Sequence, residues 1–309
     1  MKNHFTLCQS IVFSVLLICS AARAEEAHTQ AIITRIMNTR QAILAKAGSS
    51  SADKYLFLAF WDFDGTILKG DCSEGLKLQG KSAYKGLAEL AIESGYSRIY
   101  APEGGFDRFW KDYRHFEEGI GRWLAYPFIP QMLRGARTSD ISALAEEQFA
   151  TVLQDYYFQS SIDMLHALES KGINNYIISA SADIFVDAAA TTLGLPKERF
   201  HGIEVQVEEG RLTEKLIYPI TWAKGKIEKL TNIVATLHST HPDKNIIILA
   251  AFGNSYSTDA PFLEYVAKQS LPAGKPVAVM INGGEAPAAY KDVFLRVQQT
   301  ETIEISKSQ

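Results

Sequence analysis

The sequence has 309 residues, of which 47% are hydrophobic and 21% are charged, and it contains 21 glycines and 10 prolines. This composition is typical of a folded protein with a sizeable core, and it excludes a disordered, collagen-like or disulfide-rich chain. The formal net charge of −4 gives no indication of a basic surface that would bind nucleic acid. The length predicts one large domain or two smaller ones.

The first 24 residues have the pattern of a secretory signal peptide. Lys2 gives a positive start, Ile11–Cys19 is an apolar run too short to span a bilayer, and Ala22–Ala24 fits a cleavage site. We therefore expect export to the periplasm or secretion, and no membrane span once residues 1–24 are removed. The alternatives are a buried N-terminal helix and a membrane anchor. Cleavage would leave Cys72 as the only cysteine, which excludes an internal disulfide.

Hydrophobic periodicity predicts the elements that follow. The N-terminal helix is expected within residues 25–52, where isoleucines recur at helical spacing. Apolar runs bounded by turn-forming residues predict strands buried on both faces at Tyr55–Asp62, Asn175–Ser179, Asn245–Phe252 and Pro276–Ile281. Helices are expected at Ala182–Leu193 and Lys226–Leu237, and a hairpin turn at Glu208–Gly210.

The alternation of strands and helices indicates an α/β fold with a parallel sheet in a Rossmann-like three-layer core. We assign this core to residues 53–72 and 160–309. Residues 73–159 show helical periodicity, many aromatic side chains and no clear strand. They predict an all-helical cap inserted directly after the first strand.

The first predicted strand ends in two carboxylates. Asp62 and Asp64 belong to the run Asp-Phe-Asp-Gly-Thr, and residues two apart on an extended chain face the same side. Ligands bind at the carboxyl ends of strands in open α/β sheets, so both groups are placed where chemistry occurs. The pair suits a nucleophile and a general acid and base, although a solvated turn would show the same pattern.

Four segments, in this order, resemble the motifs of the haloacid dehalogenase-like hydrolase superfamily. They are Asp62–Thr66 for motif I, Ile177–Ser181 for motif II, Ala223–Lys226 for the lysine of motif III, and Gly253–Asp259 for motif IV. The predicted hairpin and the helical insertion are similar to those of its phosphoserine-phosphatase-like branch. The resemblance extends over residues 56–281 and implies that superfamily's α/β core and cap.

The resemblance also implies a role for each motif residue. Asp62 would attack phosphorus to form an aspartyl-phosphate, and Asp64 would protonate the leaving group and then activate water. Thr66 would fix the loop. The phosphoryl group would be contacted by Ser179 and also by Gly65, Thr66 and Ala180.

A Mg²⁺ ion is implied as the cofactor. Its ligands would be Asp62, the backbone carbonyl of Asp64 and Asn254, which stands where the family usually has an aspartate. An amide oxygen can bind Mg²⁺ but contributes less charge, so weaker metal binding is expected. Asp259 could supply the missing charge, either as a ligand or by orienting a metal-bound water.

Two lysines compete for the motif III role. Lys226 would be the first exposed residue of an amphipathic helix, because Ile227, Leu230 and Ile233 follow it at helical spacing. Lys224 also matches a pattern in phosphoserine phosphatases. We prefer Lys226, and the other lysine would then be a solvated surface charge.

The insertion carries ten aromatic residues that permit two interpretations. They could cage a cationic head group by cation–π attraction, as the resemblance to secreted phosphorylcholine phosphatases would imply, or they could build the core of a small cap. We favour the second interpretation. Glu74 and Arg114 are further candidate substrate contacts. The aromatic residues are Tyr84, Tyr96, Tyr100, Phe106, Phe109, Trp110, Tyr113, Phe116, Trp123 and Tyr126.

The functional hypothesis is an exported, Mg²⁺-dependent phosphomonoesterase that acts on a small phosphorylated metabolite. One alternative is a catalytically silent binding protein that has lost its metal through Asn254. A dehalogenase is a weaker alternative, because displacement at carbon needs no acid/base carboxylate at the position of Asp64. The sequence does not predict the oligomeric state.

Overall fold

The computed structural model describes residues 4–48 and 52–303, with side chains described at 23–48 and 53–303. A central sheet has the strand order β6-β5-β4-β1-β7-β8-β9, and its neighbouring strands are parallel except for the β5–β6 hairpin. The strands are β1 Tyr55–Trp61, β2 Gly75–Leu78, β3 Lys81–Lys85, β4 Ile173–Ala182, β5 Phe200–Glu208, β6 Arg211–Ile217, β7 Asn245–Gly253, β8 Val277–Ile281 and β9 Leu295–Val297.

Helices cover both faces of this sheet. They are α1 His4–Ala47, α2 Leu87–Glu93, α3 Gly105–Gly119, α4 Arg122–Gln131, α5 Thr138–Thr151, α6 Gln159–Ser170, α7 Asp183–Val186, α8 Ala190–Leu193, α9 Lys224–Thr240 and α10 Ala260–Ala267. Along β1, Phe57 and Trp61 pack into the apolar cluster on one face, whereas Leu58 and Phe60 pack into the cluster on the other. The predicted three-layer α/β core with a parallel sheet is therefore confirmed.

The N-terminal helix packs against α6 and the sheet. Ile32, Ile36 and Ile43 form its buried face, as their spacing predicts. The end of the predicted 25–52 segment lies outside the described residues at 49–51. Among the residues that the structure describes, no helix has both the length and the continuous apolar character that crossing a bilayer requires.

The sequence analysis predicted an all-helical cap, and the structure shows that this prediction was wrong. Strands β2 and β3 form an antiparallel hairpin within it, closed by Gln79 and Gly80, which both have positive φ, at 51° and 78°. A turn with two positive φ values is the mirror-image type that matches the twist of a hairpin. Its usual sequence signal is Asn-Gly or Asp-Gly. The pair Gln79-Gly80 lacks this signal, so the turn was not predicted from the sequence.

Two other elements differ from the prediction. The helix expected over 182–193 is divided into α7, a 3₁₀ turn at Asp187–Ala189, and α8. The three-residue edge strand β9 was not predicted, because so short a run carries little periodicity. By contrast, the β5–β6 hairpin closes at Glu209 and Gly210 as expected.

Candidate active site

The carboxyl ends of β1, β4 and β7 surround a cavity of about 180 Å³. The core and the cap both contribute to its wall, so the cavity lies where they meet. The lining residues are Asp62, Asp64, Gly65, Gly70, Asp71, Glu74, Tyr113, Arg122, Tyr126, Ile129, Ser179, Ala180, Ser181, Asn254, Ser255 and Thr258. Motifs I, II and IV thus meet at the edge of the sheet where α/β folds bind ligands.

Asp62 is held in place by groups behind the cavity wall. Its Oδ2 accepts a hydrogen bond of 2.7 Å from Thr66 Oγ1, and its Oδ1 lies 2.5 Å from Lys226 Nζ. Thr66 is fully buried and does not line the cavity. The threonine therefore orients the Asp62 carboxylate from behind the wall, and its position does not fit the contact with a phosphoryl group that the resemblance implied.

The side chain of Lys226 is completely buried, whereas Lys224 is exposed. The sequence analysis expected Lys226 to be the first exposed residue of an amphipathic helix, and this expectation was wrong. Burial opposes its positive charge, but Asp259 and Asp62 outweigh burial and raise the pKa of the lysine. The structure brings Lys226, and not Lys224, to Asp62.

Asp259 lies on the far side of Lys226, 2.7 Å from its Nζ. The second oxygen of Asp259 accepts hydrogen bonds from the backbone amides of Asn254 and Ser255, both at 2.9 Å. This carboxylate is fully buried and does not line the cavity. Of its two expected roles, support of the metal site from behind fits this geometry better than direct ligation.

Asp64 is fixed by a different set of donors. Its Oδ1 accepts the backbone amide of Cys72 at 2.7 Å, and its Oδ2 accepts the hydroxyl of Ser181 at 2.7 Å and that of Ser179 at 3.3 Å. The Cys72 thiol is buried, and burial raises its pKa well above the ordinary value. Cys72 therefore supports Asp64 and is a poor nucleophile.

The electrostatics of the two motif I carboxylates suit different roles. Burial, reinforced by Asp259, raises the pKa of Asp62 to about 6, although Lys226 opposes this rise. Burial, reinforced by Asp71, raises the pKa of Asp64 well above its usual range. A carboxylate that ionises near neutral pH can attack, and a carboxyl group that retains its proton can donate it.

Asn254 approaches motif I at Gly65. A Cβ atom built on Gly65 would lie 1.8 Å from Asn254 Nδ2, and this glycine has a φ of +73°. The positive φ favours glycine at this position, and a larger residue would also displace the Asn254 side chain. The amide of Asn254 consequently reaches the same wall of the cavity as Asp62 and Asp64.

The donor set fits Mg²⁺. Asp62, the backbone carbonyl of Asp64 and the amide oxygen of Asn254 offer only oxygen ligands, which this hard cation prefers. Lys226 is buried between the carboxylates of Asp62 and Asp259, so the ionised trio carries one negative charge in excess. A divalent cation would offset this charge.

A second group of possible metal ligands lies on the cap side of Asp64. The ligand atoms of Asp64, Asp71 and Cys72 lie within 4.8 Å of one another. One Asp71 oxygen already accepts the amides of Ser73 and Glu74 at 2.7 and 2.9 Å. A protonated thiol is also a poor ligand for Mg²⁺, so this group fits the ion less well than the motif residues.

The cap supplies part of the cavity wall. Tyr113 donates its hydroxyl to Glu74 Oε1 at 2.8 Å, and Tyr126 lies beside them in the same wall. Burial, reinforced by Asp71, raises the pKa of Glu74 to about 7. Arg122 also lines the cavity, but its guanidinium is paired with Glu117 at 3.0 Å. This wall is therefore acidic and aromatic.

Most of the cap aromatics build its core. Phe109 packs against Tyr100, Phe106, Tyr113 and Phe128, with ring centroids 5.5 to 6.0 Å apart. Of the ten aromatic residues considered above, Tyr113 and Tyr126 line the cavity.

The candidate Arg114 does not line the cavity; it lies over the ring of Trp110 with its side chain 58% exposed. Glu74 is the substrate-contact candidate that the structure places in the site.

Several cavity residues were not singled out from the sequence, among them Asp71, Ser181 and Arg122. Asp71 is followed by Ser73 and Glu74, a pattern in which an aspartate accepts the next amides, so a local signal for its turn was present. Ser181 belongs to motif II but received no role. Arg122 carries no local signal, because its place in the cavity depends on how α4 packs on the core.

Comparison with known proteins identifies the family. The family model of the haloacid dehalogenase-like hydrolases matches residues 59–264, which is more than half of the chain, so the protein belongs to that family. This confirms the family resemblance found in the sequence. No curated protein gives a significant sequence match.

Several solved structures share the fold at low sequence identity. A protein of unknown function from Bordetella pertussis Tohama I is 14% identical, with a TM-score of 0.56, and the match covers 79% of this chain and 98% of that one. Cytosolic 5'-nucleotidase IIIB bound to cytidine is 17% identical, with a TM-score of 0.54 and coverage of 82% and 83%. A functionally unknown protein from Anaerococcus prevotii DSM 20548 is 14% identical, with a TM-score of 0.53 and coverage of 78% and 83%.

Proposed function

We propose that the protein is a Mg²⁺-dependent phosphomonoesterase that acts on a small phosphorylated metabolite. The observation that carries this proposal is the arrangement of Asp62 and Asp64 in one cavity, with Lys226 and Asp259 behind the first and Ser179 and Ser181 bonded to the second. One of the solved structures that share the fold is named as a 5'-nucleotidase, which supports the proposal.

In the first half-reaction, a carboxylate oxygen of Asp62 attacks phosphorus, and the bond from phosphorus to the leaving oxygen breaks. Asp64 donates its proton to that oxygen, so the product leaves as a neutral alcohol. The hydroxyl of Ser179 and the backbone around Ala180, both of which line the cavity, would hydrogen-bond the phosphoryl oxygens. The resulting aspartyl-phosphate is attached to Asp62.

In the second half-reaction, Asp64 has become a carboxylate and takes a proton from water. The water oxygen attacks phosphorus, the bond to Asp62 breaks, and phosphate is released. Lys226 offsets the negative charge of Asp62 throughout, because it is held against that carboxylate by Asp259. Bound Mg²⁺ would neutralise phosphoryl charge and align the phosphate with Asp62.

The acidic side of the cavity bears on the choice of substrate. Asp71 and Glu74 both line the cavity, and the positive charge of Arg122 is offset by Glu117. Such a wall favours a leaving group with positive charge over one with negative charge. Among candidate substrates, phosphorylcholine should therefore be hydrolysed faster than nucleotides.

Export is part of the proposal. The sequence pattern of residues 1–24 supports it, and the first residue after the expected cleavage, Glu25, has a buried side chain in the fold. Its carboxylate accepts hydrogen bonds from Ser160 Oγ at 2.7 Å and from the amide of Thr300 at 3.0 Å. N-terminal sequencing of the protein recovered outside the cytoplasm should begin at Glu25; an intact N-terminus would contradict export by cleavage.

A panel of phosphorylcholine, phosphoserine, nucleotides and p-nitrophenyl phosphate, with and without Mg²⁺, tests the activity. Asp62→Asn should abolish turnover without changing the circular dichroism spectrum, and wild-type turnover by this variant would contradict the assigned nucleophile.

The silent-binding alternative predicts no hydrolysis and no heat of Mg²⁺ binding. A dehalogenase would instead release halide from haloacids.

A further inference from the structure

Helix α4 forms part of the wall of the active-site cavity. Arg122, Tyr126 and Ile129 all line the cavity, and their spacing of four and then three residues places them on one face of the helix. The C-terminal end of α4 lies at β6, and its N-terminal end reaches the loop that follows β7. The helix thus bridges the two sides of the site.

The two ends of α4 are attached to the core in different ways. At the C-terminal end, the backbone pairs with the β6 side of the hairpin: Gly135 N donates to Leu212 O at 2.7 Å, Leu212 N to Ala136 O at 3.0 Å, and Thr138 N to Gly210 O at 3.0 Å. Backbone bonds of this kind, made over several residues, hold a segment firmly.

At the N-terminal end, the hydrogen bond that the structure shows is between side chains. Arg122 Nη1 donates to Ser257 Oγ at 2.8 Å, and both residues are accessible to solvent. Water can replace either partner, so this contact is easier to break than the paired backbone at the other end. Gly121, directly before the helix, has a φ of +123°, which a glycine adopts without strain.

The loop that carries Ser257 is itself well fixed. Ser257 Oγ lies 3.0 Å from Ser255 Oγ, and the amides of Asn254 and Ser255 are held by Asp259. A contact from Arg122 to Ser257 therefore joins the cap to a fixed part of the core, next to the proposed metal ligand Asn254.

We propose that Arg122 and Ser257 form a clasp that holds α4 closed over the cavity, and that substrate enters and product leaves when this clasp opens while the β6 end of α4 stays attached. Both are positioning residues that act through the cap. The consequence for turnover rests on the proposed function, whereas the opening of the clasp does not depend on it.

Hydrogen–deuterium exchange of the whole protein tests the clasp without a substrate. In Ser257→Ala, the amides of residues 122–129 other than Pro127 should exchange at least about threefold faster than in the wild type, whereas those of Gly135, Thr138 and Leu212 should not change. Ser257→Thr keeps the hydroxyl and should restore slow exchange. Ser170→Ala, which removes an exposed hydroxyl on α6, is the matched control. Equal exchange of 122–129 in Ser257→Ala and wild type would overturn the proposal.

Kinetics on p-nitrophenyl phosphate give a second measurement. Ser257→Ala should raise KM about three- to tenfold and change kcat less than twofold, because closure retains the substrate and the serine does not line the cavity. Arg122→Gln should raise KM at least as much, and adding Ser257→Ala to it should raise KM no further. If Arg122→Gln raises KM while Ser257→Ala does not, Arg122 acts on the substrate directly and the clasp is wrong. If no phosphomonoester is hydrolysed, the exchange result alone decides.

Discussion

Lys226 and Asp259 form an ion pair of 2.7 Å in which neither side chain is exposed to solvent. The same lysine contacts Asp62, so Asp259 fixes the charge that stands behind the proposed nucleophile. A buried charge of this kind is tolerated only because its partners surround it.

The first prediction concerns this pair. Asp259→Asn should lower the free energy of unfolding by about 2 kcal/mol, because the amides of Asn254 and Ser255 lose a charged acceptor and Lys226 keeps only one carboxylate partner. Urea denaturation followed by tryptophan fluorescence measures this change. Asp243→Asn, at an exposed position, is the control and should have little effect. Equal stabilities of the two variants would show that Asp259 is not needed to hold the lysine.

The second prediction concerns Asn254. Asn254→Asp should bind Mg²⁺ about tenfold more tightly, which corresponds to about 1.4 kcal/mol, because a carboxylate adds charge to the ligand set. Without the metal, the variant should melt at a lower temperature than wild type, since another carboxylate joins Asp62 and Asp64.

Calorimetric titration and thermal melting, each with and without Mg²⁺, measure both effects. Asn245→Asp, at the exposed start of β7, is the control. An unchanged affinity would mean that residue 254 is not a ligand.

The third prediction concerns the pH dependence of stability at Glu74. Its pKa rises from 4.5 to about 7 on folding, chiefly through burial. The folded state therefore binds a proton more tightly than the unfolded state, so the free energy of unfolding falls as pH rises from about 4.5 to 7. Glu74→Gln should remove this part of the pH dependence and raise stability above pH 7. Unfolding midpoints measured across this range test it, with the exposed Glu103→Gln as control; parallel curves would contradict it.

The fourth prediction has the opposite sign. Burial lowers the pKa of His201 from 6.5 to about 4, and its Nε2 is a buried atom without a hydrogen-bond partner in the described part of the chain. The unfolded state binds the proton more tightly, so stability is lost as pH falls from about 6.5 to 4.

His201→Phe should reduce this loss, because the ring lies parallel to Tyr176 and needs no proton there. Thermal melting between pH 4 and 7 measures it. The exposed His238→Phe should leave the acid sensitivity intact. An identical pH profile for His201→Phe and wild type would count against the assignment.

The core could be predicted from the sequence because its signals are local. The apolar run before Asp62 marks a strand buried on both faces, and the motif residues follow strand ends that meet at one edge of a parallel sheet. The turn at Glu209 and Gly210 was predicted for the same reason. Each of these features depends on residues adjacent in the chain.

The rest of the site depends on tertiary contacts. The hydrophobic periodicity of α9 did not predict that Lys226 is buried. The lysine is buried because Asp62 and Asp259, which are distant in sequence, enclose its charge. Arg122 lies far from the motifs in sequence, and only the packing of α4 on the core brings it to the cavity. The β2–β3 hairpin was not predicted, because glutamine is an uncommon first residue for its type of turn.

The pairing of the cap with β6 has a consequence beyond catalysis. An open strand at the border of a sheet presents unpaired amides and carbonyls, which are a template for association between chains. Here the segment Gly135–Thr138 occupies part of the border at β6, and the opposite border is formed by β9, with three residues. Part of the β6 edge is thus covered and the β9 edge is short, so the packing that shapes the cavity also reduces the strand edge available for association between chains.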